Sequence, residues 1–282
     1  MKVIEANKIL RHRPPFRFVD QILITEDARA VARLEQGHTD ACWAADPYLS
    51  VLPVEYAAQL MGVLIRTKMN STGSVGVLAG VTNFDWDYLA VPLASVEVKH
   101  TGTRGNFHDF KAIYFDNDGL VCARLRGFIH LAPKPDTAAM PASGPVVFTD
   151  VPLYVVKGFN AEGPSAEMVV KTNPACPVYA GHFPDDPITP GVLIAEMMLD
   201  AVQRQHAKQL GLRAIKDLTF RAPLMPGETA TIRLKKIDNK NFSAMLMRDG
   251  KRLARAKFML DSLPIPITAS NLHPPQIKET IL

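Results

Sequence analysis

The stretch 182–203, HFPDDPITPGVLIAEMMLDAVQ, carries the residue types of an acid–base site. His182 opens a loop containing Pro184, Pro187 and Pro190, and the fixed φ of proline makes such a loop stiff and irregular. Gly191 follows, and a residue without Cβ lets the backbone approach another group closely where a helix starts. From Val192 the chain is apolar nearly all round, the pattern of a helix buried on most sides. Glu196 lies one turn inside that helix, where an unpaired carboxylate is costly, so it must find a partner or hold its proton. A histidine, backbone N–H groups at a helix start and a carboxyl among apolar side chains can together give and take protons. The bland reading is a hydrogen-bonded core histidine and a satisfied core carboxyl.

A second carboxyl has a similar setting. Residues 51–66, VLPVEYAAQLMGVLIR, predict another largely apolar helix, interrupted by Glu55. Gln59 lies four residues on, one turn away on the same face. Val51-Leu52-x-x-Glu55 aligns on Val192-Leu193-x-x-Glu196 at an offset of 196 − 55 = 141. Phe84 then corresponds to Phe220, Pro92 to Pro226, and the turn Asp118-Gly119 to Asp249-Gly250, in the same order. Ordered correspondences at so long a spacing imply two copies of one fold, not a solenoid.

The elements that must position these groups are mostly strands. They are expected at 16–24, 30–34, 75–79, as a pair within 83–98, and at 109–115 and 120–131. After a Pro/Ala/Ser-rich tract they resume at 153–156, 165–171, 216–220 and 229–237, with a last hairpin turning at Asp249-Gly250. Asp-Gly between alternating runs is a strong hairpin signal. The division is a first repeat 1–135, a linker 136–148, a second repeat 149–264 and an extended Pro-rich tail 265–282.

A chain of 282 residues with 47% apolar and 21% charged residues can bury a sizeable core. No run of about 18 apolar residues predicts a membrane span, and the N-terminus does not read as a signal peptide. Cys42, Cys122 and Cys176 are odd in number and far apart, the pattern of buried thiols in a reducing, cytoplasmic setting. The net charge of +4 is mild; it suits an acidic carrier or a phosphorylated cofactor without specifying either. No aromatic-basic stripe speaks for nucleic acid. His12, His100, His108, His130, His206 and His273 lack comparable context and read as surface residues.

His182-Phe183-Pro184, Pro187, Pro190-Gly191-Val192-Leu193 and Glu196 resemble the active-site segment of hotdog-fold 3-hydroxyacyl-[acyl-carrier-protein] dehydratases. One departure is Asp185, where the family has glycine. His12-Arg13-x-Pro15-Phe16-x-x-x-Asp20 resembles the family's N-terminal segment, which covers a sheet edge. The resemblance implies an α+β double hotdog: two curved antiparallel sheets, each wrapped round a long central apolar helix. It also implies a pseudo-dimer within one chain, with a site assembled from both halves.

On that resemblance His182 is the base, Glu55 the general acid, and the Gly191 amide the donor to the thioester carbonyl. Gln59 orients Glu55 or the leaving water, and Phe183, Pro190 and Val192 support the loop and helix start. Counting back from Glu55 by 196 − 182 = 14 lands on Ala41, so the first half lacks its histidine; His38 would serve only if the loop carries an insertion. Glu196 is left at a vestigial site, with Asp200 where a glutamine is expected. The implied reaction is dehydration of a (3R)-3-hydroxyacyl thioester, borne by acyl carrier protein or coenzyme A, to the trans-2-enoyl thioester, with no metal or other cofactor. Two other readings are a hotdog acyl-thioesterase and a non-catalytic acyl- or carrier-binding module of a fatty acid or polyketide-like synthase.

Overall fold

Alternation of apolar and polar residues makes most of this chain strand; along Phe107–Phe115 every second side chain is buried. The computed structural model describes residues 2–25, 27–34, 51–68, 74–87, 93–133, 151–206 and 210–262. His38, Cys42, Pro92, His273 and the expected linker and tail lie outside the described residues.

The first half contains β1 (Lys2–Glu5), β2 (Gln21–Ile24), β3 (Arg29–Arg33), α1 (Leu52–Lys68), β4 (Ser74–Trp86), β5 (Ser95–Arg104), β6 (Phe107–Phe115) and β7 (Val121–Pro133). The second half contains β8 (Tyr154–Glu162), β9 (Ser165–Thr172), the short α2 (Val178–Gly181), α3 (Gly191–Gln205), β10 (Leu210–Phe220), β11 (Thr229–Lys236), β12 (Asn241–Arg248) and β13 (Lys251–Ser262).

These strands form one 13-stranded sheet in the order β1-β2-β3-β5-β6-β7-β4-β10-β13-β12-β11-β9-β8. Leaving β1 aside, the order within each half is the same: β2-β3-β5-β6-β7-β4 and β8-β9-β11-β12-β13-β10. Two sheets were expected, and the structure joins them edge to edge. Antiparallel β4 and β10 place Phe84 opposite Ile215 and Gly80 opposite Thr219. The physical reason is that each strand would otherwise present an open row of unpaired N–H and C=O groups.

The strand expected at 16–24 begins pairing only at Gln21. Residues before it turn towards α1, where the Phe18 N–H donates to Gln59 Oε1 at 3.0 Å. The expected pair within 83–98 is instead the end of β4 and the start of β5. The Asp249-Gly250 hairpin has both residues at positive φ, 49° and 73°, the backbone of a two-residue type I′ turn.

Both α1 and α3 are buried along most of their length. α1 packs on β3, β4, β5 and β7, α3 packs on β9, β11 and β12, and the helices touch each other. A single apolar core runs through both halves. No helix among the described residues is long and apolar enough to cross a membrane. Cys122 and Cys176 are buried thiols.

The β4–β10 seam leaves no room at Gly80. A Cβ there would lie 2.7 Å from the Leu218 carbonyl oxygen and 2.6 Å from the Phe128 ring. Gly80→Ala should lower unfolding stability by about 1–3 kcal/mol, the usual cost of overpacking, measured by guanidinium denaturation.

Candidate active site

His182 ends the four-residue α2, its N–H donating to the Val178 carbonyl at 2.8 Å. Phe183 then takes φ +50°, a left-handed conformation costing a non-glycine residue on the order of 1 kcal/mol. The loop is pinned on the far side, where Thr189 N–H donates to the Leu224 carbonyl at 2.8 Å and the Thr189 and Tyr179 hydroxyls bond at 2.9 Å. Within it, His182 Nδ1 lies 2.9 Å from the Ile188 carbonyl oxygen. A carbonyl only accepts, so Nδ1 carries the hydrogen and Nε2 keeps its lone pair. That tautomer is a base.

Pro190 caps α3, its carbonyl accepting from Leu193 and Ile194. Gly191 is the first helical residue, so its N–H has no partner within the helix. A Cβ here would lie 2.8 Å from the Phe220 ring, so any larger residue would have to displace that ring. Val192 is fully buried in the core.

Glu55 stands in the first turn of α1, only 4% exposed. Gln59 Nε2 donates to its Oε1 at 3.0 Å and also to the Phe16 carbonyl at 2.9 Å, while Gln59 Oε1 accepts from Phe18 N–H. One amide thus ties the acid to the N-terminal segment. His12, Glu55, Gln59, His182, Phe183 and Gly191 line one cavity of about 400 Å³, part of it open to solvent. The groups from the two halves therefore face a common space.

The N-terminal segment closes over this space. His12 is 6% exposed, contrary to its reading as a surface residue; its Nε2 lies 3.5 Å from Glu55 Oε1 and its ring centroid 5.3 Å from that of His182. The signal available was its place in the segment His12-Arg13-x-Pro15-Phe16. What brings it there is Gly181: Arg13 N–H donates to the Gly181 carbonyl at 2.9 Å, and a Cβ on Gly181 would lie 2.7 Å from both Arg13 O and Phe16 N. Asp185 is held by Arg11 at 3.2 Å, and the Arg11 guanidinium lies 5.5 Å from the Phe183 ring centroid. The residue that departs from the family pattern thus anchors the segment to the loop. His108 is a second buried histidine read as surface; it lies on β6, with its Nδ1 3.2 Å from the Thr103 hydroxyl.

Burial sets the protonation states. It pushes Glu55 from an ordinary 4.5 up to about 7, against the opposing hydrogen bond from Gln59. It pushes His182 from 6.5 down to about 4, against the bond to Ile188. His12 falls well below the ordinary imidazole value through burial first, then through the charges of His182, Arg11 and Arg13. Between about pH 4 and pH 7 the cavity holds a neutral base and a neutral acid.

Glu196 lies apart from this cavity. It is half-buried, and its Oε1 accepts from the Val51 N–H just before α1. By the offset 192 − 51 = 141, that N–H corresponds to the one on Val192. Asp200 accepts from the Tyr154 hydroxyl at 2.7 Å and pairs with Arg204 at 2.9 Å. Among the described residues no group of three or more His, Cys, Asp or Glu side chains is arranged to hold a metal ion.

A family model described as ApeI-like, ApeI dehydratase, matches residues 159–256. The chain is 36% identical over 94 residues to 3-hydroxyacyl-[acyl-carrier-protein] dehydratase FabZ of Rickettsia bellii (strain OSU 85-389), covering 29% of this chain and 65% of that protein. It is 32% identical over 96 residues to the protein of the same name from Pseudoalteromonas translucida (strain TAC 125), covering 29% and 64%. The chain thus spans slightly less than two thirds of these curated relatives. An acyl-ACP thioesterase from Bacteroides thetaiotaomicron VPI-5482 superposes with TM-score 0.56 at 12% identity, over 85% of this chain and 100% of that one. A 12:0-ACP thioesterase from Umbellularia californica gives 0.51 at 9%, over 86% and 100%. The family and sequence matches carry the dehydratase resemblance; the solved structures, at such identities, carry the hotdog fold alone.

Two outcomes are expected. Gly181→Ala should push the N-terminal segment off the loop and lower stability by about 1–3 kcal/mol, read by thermal or denaturant unfolding. Glu55 holds its proton more tightly folded than unfolded, so its contribution is fully present below about pH 4.5 and is lost as pH rises through about 7. The slope is at most about 1.4 kcal/mol per pH unit. Glu55→Gln should remove that decline, so the variant gains on the parent between pH 4.5 and 7 in unfolding titrations.

Proposed function

We propose that this chain, whose second half matches the ApeI-like dehydratases, dehydrates a (3R)-3-hydroxyacyl thioester to the trans-2-enoyl thioester. The observation that carries the reading is the pairing in one cavity of a neutral imidazole with a free Nε2 and a neutral buried carboxyl, contributed by opposite halves of the chain. Residues 1–135 and 149–264 then act as two hotdog repeats, each with its apolar helix, working as a pseudo-dimer through the segment 136–148.

His182 Nε2 removes a proton from the carbon next to the thioester carbonyl. Negative charge develops on the carbonyl oxygen, where the Gly191 N–H at the positive end of α3 donates to it. Glu55 protonates the departing hydroxyl, which leaves as water. The carbon proton ends on His182 and the carboxyl proton in the water. Gln59 keeps Glu55 in place. The substrate is borne by an acyl carrier protein or by coenzyme A.

The test is turnover of a 3-hydroxyacyl thioester followed by mass spectrometry of the product. His182→Ala and Glu55→Gln should each lower kcat by at least about a hundredfold, the scale of lost general acid–base catalysis. Glu196→Gln should retain most activity. Loss at Glu196 without loss at Glu55 would overturn the assignment of the acid. Free acid as product would make the chain a thioesterase, and tight binding of acyl carrier without turnover a binding module. In the parent, kcat/KM should rise with pH through about 4 as His182 loses its proton and fall through about 7 as Glu55 loses its own.

A further inference from the structure

A neutral carboxyl has two oxygens and one proton, and a general acid works only if the proton sits on the oxygen that meets the leaving group. At Glu55 the two oxygens are not equivalent. Gln59 Nε2 donates to Oε1 at 3.0 Å, and the nearest His12 nitrogen, Nε2, also approaches Oε1, at 3.5 Å. His12 is buried, and its Nδ1 is inaccessible and without a hydrogen-bond partner. A buried acceptor left unpaired is better tolerated than a buried N–H, which favours the tautomer with the hydrogen on Nε2, the nitrogen nearer Glu55. The Gln59 N–H bonded to Oε1, with His12 Nε2 close to the same oxygen, makes Oε1 the carbonyl oxygen and leaves the proton on Oε2.

We propose that His12 is a positioning residue which, together with Gln59, holds the Glu55 proton on Oε2 for delivery to the leaving hydroxyl. This rests on the dehydratase reading for its chemistry, though the His12–Glu55 coupling stands on geometry alone. At 3.5 Å the contact is longer than a mature N–H···O bond; catalytic hydrogen bonds commonly tighten only when substrate is bound. His12, His182 and Gln59 are the polar groups that line the cavity with Glu55. The nearby cations Arg11 and Arg13 act on His12, and Arg11 is matched by Asp185.

The experiment compares the parent with His12→Phe, which keeps a planar ring without the donor, and His12→Gln, whose amide restores an N–H near the Nε2 position. Two readouts are followed: titration of the Glu55 carboxyl by ¹³C NMR without substrate, and the kcat–pH profile on a 3-hydroxyacyl thioester. An N–H donor favours the carboxylate, so its removal should shift the Glu55 titration and the alkaline limb to higher pH in His12→Phe. In that variant kcat should fall about tenfold or more with KM little changed. His12→Gln should recover both. A purely structural role would admit water and shift the Glu55 titration to lower pH, overturning the proposal, as would an unchanged titration in His12→Phe. No turnover by the parent would sink the dehydratase reading, while the NMR titration would still decide whether His12 acts on Glu55.

Discussion

Glu55 is almost wholly withdrawn from water on an apolar helix, and a carboxyl so placed survives in a fold only if its surroundings offset the lost hydration. Here the compensation is partial. Gln59 supplies one hydrogen bond, His12 a longer approach, and the remaining cost appears as a carboxyl that keeps its proton near neutrality. The same burial acts with opposite sign on His182, which it keeps uncharged. Burial of both side chains thus keeps a carboxyl protonated and an imidazole neutral over one range of pH.

Covering the two side chains depends on contacts made far from α1 in sequence. The N-terminal segment lies over the His182 loop because Gly181 lets backbone meet backbone, and the Arg11–Asp185 pair fastens the two together. Gln59 reads the segment's position through Phe16 and Phe18, so the acid and its cover are set by one side chain. Gly191 plays the corresponding part on the opposite wall, where its missing Cβ admits the Phe220 ring against the start of α3.

Much of this was legible in the residues. Alternation marked most strands, Asp249-Gly250 marked a turn, and the proline-rich loop ahead of an apolar helix marked where His182 would stand. The apolar stretch around Glu55 was visible too, because a lone carboxyl among buried side chains stands out by type. His12 was not, since one histidine in an irregular proline-bearing run has no periodicity to betray which way it faces. Its burial comes from a contact with a loop some 170 residues away, as the Arg11–Asp185 separation of 174 illustrates. The joining of β4 to β10 was hidden for a related reason: alternation tells which faces are covered, not which edges meet.

The carboxylate of Glu196 resting on the Val51 N–H has a further consequence. A dimer of identical subunits must carry every residue change twice, so neither of its clefts can drift without the other. Two halves fused through a shared sheet escape that symmetry. Here the Val51 N–H is taken up by a side chain of the opposite half, and Glu196 is not among the groups that line the cavity shared by His182 and Glu55. The two helix carboxyls accordingly sit in different surroundings, and a change beside one need not be repeated beside the other.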